Sequence, residues 1–120
     1  MSADEVKYLL DQLSDRWRKQ DAQGAAELFS ENAFYSEPPA HELRGRPAIA
    51  RFFRAFFASH YAVEFTFSRI LIGDGEAAAE WSFSYSRASD GKRRRLVGIA
   101  FIDTTAGLIQ VWRSFSARLE

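Results

Sequence analysis

The chain has no cysteine, three prolines and two histidines in 120 residues. Without cysteine there is neither a disulfide nor a thiolate metal site. His41 and His60 stand among scattered acids and show no His-x-x-x-His spacing, so neither metal catalysis nor a cofactor is expected. Sixteen basic residues cancel sixteen acidic ones. A nucleic-acid interface needs a basic face, and a polybasic membrane patch or an acidic tail needs an excess of one sign. No apolar run approaches the roughly 20 residues that span a bilayer. Ser2-Ala3-Asp4-Glu5 is acidic and lacks a signal-peptide pattern. The expectation is a soluble cytoplasmic protein with no nucleic-acid or membrane partner.

What the chain does have is aromatic residues: eleven phenylalanines, four tyrosines and three tryptophans. Such side chains bury large areas each, so few are needed to close a small core. They also line most ligand pockets. Composition alone leaves both readings open.

The length fits one domain, read as residues 1–120. Residues 3–19 predict an amphipathic helix: Val6, Leu9, Leu10, Leu13 and Trp17 recur at three and four residues, and Ser2 and Glu5 have capping-box spacing. Asp21 caps a second, short helix that takes in Ala25, Ala26, Leu28 and Phe29. Ala33–Glu37 predicts a short strand stopped by Pro38-Pro39. A loop over 38–45 leads to Gly45, and Pro47 sits in the first turn of a third helix. In that helix Ile49, Phe52, Phe53, Phe56 and Phe57 form a wide apolar face, with Arg51 and Arg54 pointing away.

After His60 the pattern has period two. Val63, Phe65 and Phe67 share one strand face; Trp81, Phe83 and Tyr85 share one face of the next, opposite Glu80, Ser82 and Ser84. Asp90-Gly91 predicts a hairpin turn with positive φ at both residues. Lys92-Arg93-Arg94-Arg95 beside it reads as a solvated tip that guards the edge. The last two strands are apolar on both faces: Leu96, Ala100 and Ile102 back the Ile99 row, and Ile109, Val111 and Phe115 back Leu108 and Trp112. Helices first and antiparallel strands after give an α+β domain. One helical layer covers one sheet face, so the outer face is expected to meet a second copy of the chain, a homodimer. Arg113, opposite Trp112, is expected on that outer face.

In this order, several motifs resemble one superfamily. They are Asp21 at a helix start, the run Leu28-Phe29-Ser30-Glu31-Asn32-Ala33, the acid–proline pair Glu37-Pro38, and Gly45-Arg46-Pro47-Ala48-Ile49 opening a helix. The chain resembles the nuclear-transport-factor-2-like superfamily, which includes ketosteroid isomerase, SnoaL-like polyketide cyclases and scytalone dehydratase. The resemblance implies a cone-shaped roll, three N-terminal helices packed on a curved, mainly antiparallel sheet, with a pocket between the layers. Because this fold hosts unrelated functions, it does not by itself imply one.

In ketosteroid isomerases a general-base aspartate precedes a proline at the end of the first strand, and Glu37 holds the matching place. The oxyanion-hole tyrosine of the first helix falls on Leu13, and the protonated aspartate falls near Ile99; neither can donate a hydrogen bond. The resemblance thus implies the scaffold without that active site. Glu37 is the candidate general base, against the alternative of a strand-end carboxylate paired with Arg44 or Arg46. Tyr35, two residues earlier on the same face, is a candidate ligand contact. Trp17, Phe53, Phe56, Trp81, Phe83 and Trp112 are the expected pocket walls, each with plain core packing as its alternative, and the resemblance adds Ile99. His41 would act as a proton shuttle only within hydrogen-bond reach of Glu37. Two functions stay open: a cofactor-free isomerase, cyclase or dehydratase acting on a small hydrophobic molecule, or a non-catalytic ligand- or protein-binding module.

Overall fold

Ser2 starts the first helix in a computed structural model that describes residues 2–119. Its hydroxyl accepts from the Glu5 amide at 3.1 Å, and its own amide donates to the Glu5 carboxylate at 3.1 Å. The helix, α1 (Ala3–Arg18), buries the stripe Val6, Leu9, Leu10, Leu13 and Trp17, as its periodicity predicts. Asp21 caps α2 (Ala22–Ala26), accepting from the Gly24 amide at 2.9 Å.

Here the structure departs from the reading above. Leu28 and Phe29 leave the helix, and Phe29 opens β1 (Phe29–Glu37), longer than expected. The cause is distant: Phe29 pairs with Ile109, whose amide donates to the Leu28 carbonyl at 2.9 Å. The segment read as a loop holds a strand, β2 (His41–Arg44), which folds back on β1 with Glu37 opposite His41 and Tyr35 opposite Leu43. Gly45, at φ 87°, then turns the chain into α3 (Arg46–Ser59).

Four long strands follow: β3 (His60–Ile72), β4 (Glu76–Arg87), β5 (Arg93–Thr105) and β6 (Leu108–Leu119). The β4–β5 connection is longer than a two-residue turn. Only Gly91 takes positive φ, at 69°; Asp90 instead accepts from the Lys92 amide at 2.9 Å. The strand order is β2-β1-β6-β5-β4-β3. The β1–β6 pair is parallel and the other described pairs are antiparallel. The result is an α+β fold, three helices against one face of a curved, unclosed sheet. Among the described residues no helix is long and apolar enough to cross a membrane.

The two apolar rows of β5 part company. Ala100 and Ile102 face the helices and are buried, while Val97, Ile99 and Phe101 face outward. Ile99 is 44% exposed, which corrects its placement among the pocket walls. Period two could not say which row of an all-apolar strand turns inward. On β6 the register slips at Gln110: Thr104 pairs with Ile109, and Asp103 with Val111. That bulge puts Ile109 inside with Trp112 and not, as alternation predicts, outside with Val111 and Phe115. Arg113 is exposed on the outer face, as expected.

Candidate functional site

The helices do not fill the curve of the sheet. Between them lies a cavity of about 330 Å³. Its walls come from the faces that alternation and helical spacing put inward. α1 supplies Leu13 and Trp17, and α3 supplies Phe52, Phe53 and Phe56. β4 supplies Trp81, Phe83 and Tyr85, and β6 supplies Trp112 and Ser116. Of the expected walls, only Ile99 lies elsewhere.

Trp17 packs against several of these rings at once. Its centroid lies 5.0 Å from Phe53 and 5.3 Å from Phe83, both edge to face. Aromatic pairs favour this arrangement electrostatically, and it holds the wall at fixed angles. Trp81 is held by its indole N–H, which donates to Ser114 Oγ at 2.8 Å.

One end of the cavity is polar. Strand β1 points Tyr35 and Glu37 the same way, two residues apart, and the Tyr35 hydroxyl donates to Glu37 Oε1 at 2.8 Å. Burial pushes the Glu37 carboxyl above its ordinary value; the hydrogen bond from Tyr35 and the positive charge available to His41 pull the other way without cancelling it. The Tyr35 phenol is held well above its usual range, by burial first and by the neighbouring carboxylate second. The alternative pairing of Glu37 with Arg44 or Arg46 does not form: Arg44 lies near Glu42, and Arg46 Nε donates to the Phe29 carbonyl at 2.9 Å.

Pro38, Pro39, Ala40 and His41 form the rim beside Glu37. His41 stands opposite Glu37 in the hairpin register, but its ring packs on Phe52 at 4.4 Å, and the hydrogen bond that reaches Glu37 is Tyr35's. A carboxylate in such surroundings is a stronger base than one in water, and a phenol fixes its orientation. That pair can accept or return a proton. Leu13, the position where the resemblance to ketosteroid isomerases implies a tyrosine, borders the cavity and supplies no donor.

Sequence reasoning missed Phe29, Phe52, Phe65, Tyr85, Leu96 and Ser116 as lining residues. The signal was present for some. Tyr85 continues the Trp81–Phe83 row, Phe52 lies on the apolar face of α3, and Ser116 is two alternations beyond Trp112. Phe29 had no such signal, because it was assigned to a helix.

The comparisons with known proteins agree on the architecture. An epoxide hydrolase of the LEH-like type from M. tuberculosis superposes with a TM-score of 0.83 at 14% identity, covering 95% of this chain and 84% of that one. SalBIII, described as an epoxide hydrolase/cyclase-like enzyme in pyran ring formation in the polyether salinomycin, gives 0.84 at 18% identity, covering 98% and 95%. A protein of ketosteroid isomerase-like fold from Catenulispora acidiphila, in complex with trimethylamine, gives 0.81 at 12%, covering 88% and 82%. At these identities the likeness establishes the fold. No curated protein matches the chain significantly in sequence. The SnoaL-like domain family matches residues 10–112, from the middle of α1 to the first part of β6, and the chain belongs to that family.

Proposed function

We propose that this protein binds a small, mostly apolar molecule in the aromatic cavity, and that Glu37 acts on it as a general base. The reaction would be a proton transfer of the isomerase, cyclase or dehydratase type that needs no cofactor. One observation carries this reading: the Tyr35–Glu37 hydrogen bond, 2.8 Å long, at the polar end of an otherwise apolar cavity. Catalytic carboxylates are tuned upward by this kind of burial so that they exchange protons near neutral pH. The epoxide hydrolase and SalBIII add support, since both are known for chemistry on small organic molecules within this fold.

The ionisation of Glu37 tests the reading. A carbon-13 NMR titration of the side-chain carboxyl should give a midpoint above roughly 4.3, the value of a free glutamate. An ordinary midpoint would remove the general-base role. The rival, a non-catalytic module using the same cavity, draws on the lack of a donor at Leu13 and on the outward position of Ile99. It predicts ligand binding with no turnover.

We also propose that the outer sheet face joins two copies of the chain. Val97, Ile99, Phe101 and Phe115 form its exposed apolar patch, with the two phenylalanine rings 6.3 Å apart. Patches of this kind mark interaction sites more often than bare surface. Light scattering at micromolar concentration should give twice the protomer mass. Phe101→Asp should weaken the dimer by at least roughly tenfold, because it would bury an unpaired carboxylate. A monodisperse wild-type monomer would rule the dimer out.

A further inference from the structure

The charge that borders the cavity is one-sided. Glu37 is part of its wall, and among the described residues no lysine or arginine is. Buried carboxylates are usually paired with a cation. Glu37 instead accepts from the neutral Tyr35 hydroxyl at 2.8 Å, and it enters no ion pair among the described residues. The other ionisable group beside it is His41 on the rim, whose ring packs on Phe52 at 4.4 Å and not on the carboxyl.

The surroundings of Glu37 are aromatic. Tyr35 lies 5.7 Å from Phe52 and 6.2 Å from Trp112, centroid to centroid, and all three rings border the cavity. Aromatic rings carry negative charge on their faces and attract cations, more strongly where water is excluded. Carboxylate and rings therefore favour the same sign of charge in whatever enters.

We propose that the cavity takes its ligand as a cation: an apolar body bearing a protonated amine, with the ammonium beside Glu37 and the Tyr35, Phe52 and Trp112 rings. The proposal rests on the cavity being a ligand site, as argued above, and adds the charge of what enters. An anionic ligand would bring a second negative charge next to Glu37. A neutral one would leave the carboxylate without a counter-charge. An ammonium N–H supplies that charge and a charge-assisted hydrogen bond. Tyr35 occupies one carboxylate oxygen, and a carboxylate has acceptor sites to spare. A neighbouring cation also keeps Glu37 ionised, the form that can take a proton from the ligand.

The test uses two probes of one shape, N,N-dimethyl-1-(naphthalen-2-yl)methanamine and 2-isobutylnaphthalene, in which a CH replaces the amine nitrogen. Each is titrated into the wild-type protein and into Glu37→Gln. The substitution should weaken the amine by about ten- to hundredfold, the range of a hydrogen bond to a charged group, and change the hydrocarbon less than about twofold. A measurement on the wild type keeps the test independent of how the variant folds. The amine should lower the carbon-13 titration midpoint of Glu37 by at least about one pH unit, the shift that a tenfold preference for the carboxylate produces; the hydrocarbon should not lower it. Amine affinity should then fall as the pH drops below the midpoint of the free protein, because the carboxyl gains a proton while the ammonium keeps its own. His41 also gains charge on acidification, so the part of the fall that Glu37→Gln abolishes is the part due to Glu37. Equal effects of the substitution on both probes, or a Glu37 midpoint indifferent to the amine, would overturn the proposal and leave a cavity for neutral molecules. So would binding of the hydrocarbon alone. Failure of both probes to bind the wild type would overturn the cavity reading as well.

Discussion

Glu37→Gln is expected to leave the binding of a neutral small molecule intact and to lower turnover by about 10²- to 10⁴-fold, the usual contribution of a positioned general base. The amide keeps the shape of the side chain and an oxygen that can accept from the Tyr35 hydroxyl, now at 2.8 Å. What it loses is the ability to take a proton. Steady-state kinetics on any substrate found for the wild type would show the loss in kcat, with the dissociation constant of a neutral ligand little changed. A variant that turned over normally would transfer the chemistry elsewhere.

The same substitution should alter stability in a pH-dependent way. Burial raises the Glu37 pKa in the folded state. Below the unfolded-state value both states hold the proton, and the carboxyl costs nothing. As the pH rises, the unfolded chain ionises first while the folded one does not, so folding loses ground through the interval between the two pKa values. Above the folded value the full penalty remains. Glutamine carries no such penalty. Glu37→Gln should therefore melt at a higher temperature than wild type near pH 7, and the gap should close below about pH 4. A variant less stable than wild type at pH 7 would mean that the ionised carboxylate is well satisfied where it is.

Gly98→Ala is expected to destabilise the fold by about 2–3 kcal/mol, at the upper end of what one extra methyl costs in a packed interior. Gly98 lies on the inner face of β5, paired with Trp81 on one side and Ser116 on the other. A Cβ there would sit 2.6 Å from Trp81 Cε2 and 2.5 Å from the Phe115 carbonyl oxygen. The carbonyl belongs to the adjoining strand and cannot move without breaking the ladder. The indole is buried and tied to Ser114. The glycine thus lets Trp81 lie close against the β5 backbone while still bordering the cavity. Urea denaturation monitored by tryptophan fluorescence would measure the loss. An unchanged midpoint would show that the indole can turn aside without cost.

Local patterns made much of this legible in advance. The α1 stripe and its capping box, the α3 face and the Trp81–Phe83–Tyr85 row each follow from the spacing of a few side chains, and each lies where that spacing puts it. The end of β1 was legible too, because Pro38-Pro39 stops a strand and leaves Glu37 as its last residue. What stayed hidden was set by remote partners. Phe29 reads as helical beside Ala25 and Ala26 until Ile109 arrives to pair with it. His41–Arg44 is too short to announce a strand without β1 alongside. Ile99 sits in a segment apolar on both sides, so its direction depends on its neighbours' register, and Ile109 is turned inward by a bulge that no alternation reveals.

Strand β1 contributes Tyr35 and Glu37 early in the chain, but it finds its parallel neighbour only in β6, the final element. Such a pairing closes a long loop and carries a large entropic cost before it returns any contact. During synthesis, β1 can meet β2 and α3 early, but it must wait for its parallel neighbour until β6 has left the ribosome. The interval is one in which the nascent polypeptide is open to chaperones and to mispairing, and no truncated intermediate can hold a finished binding chamber.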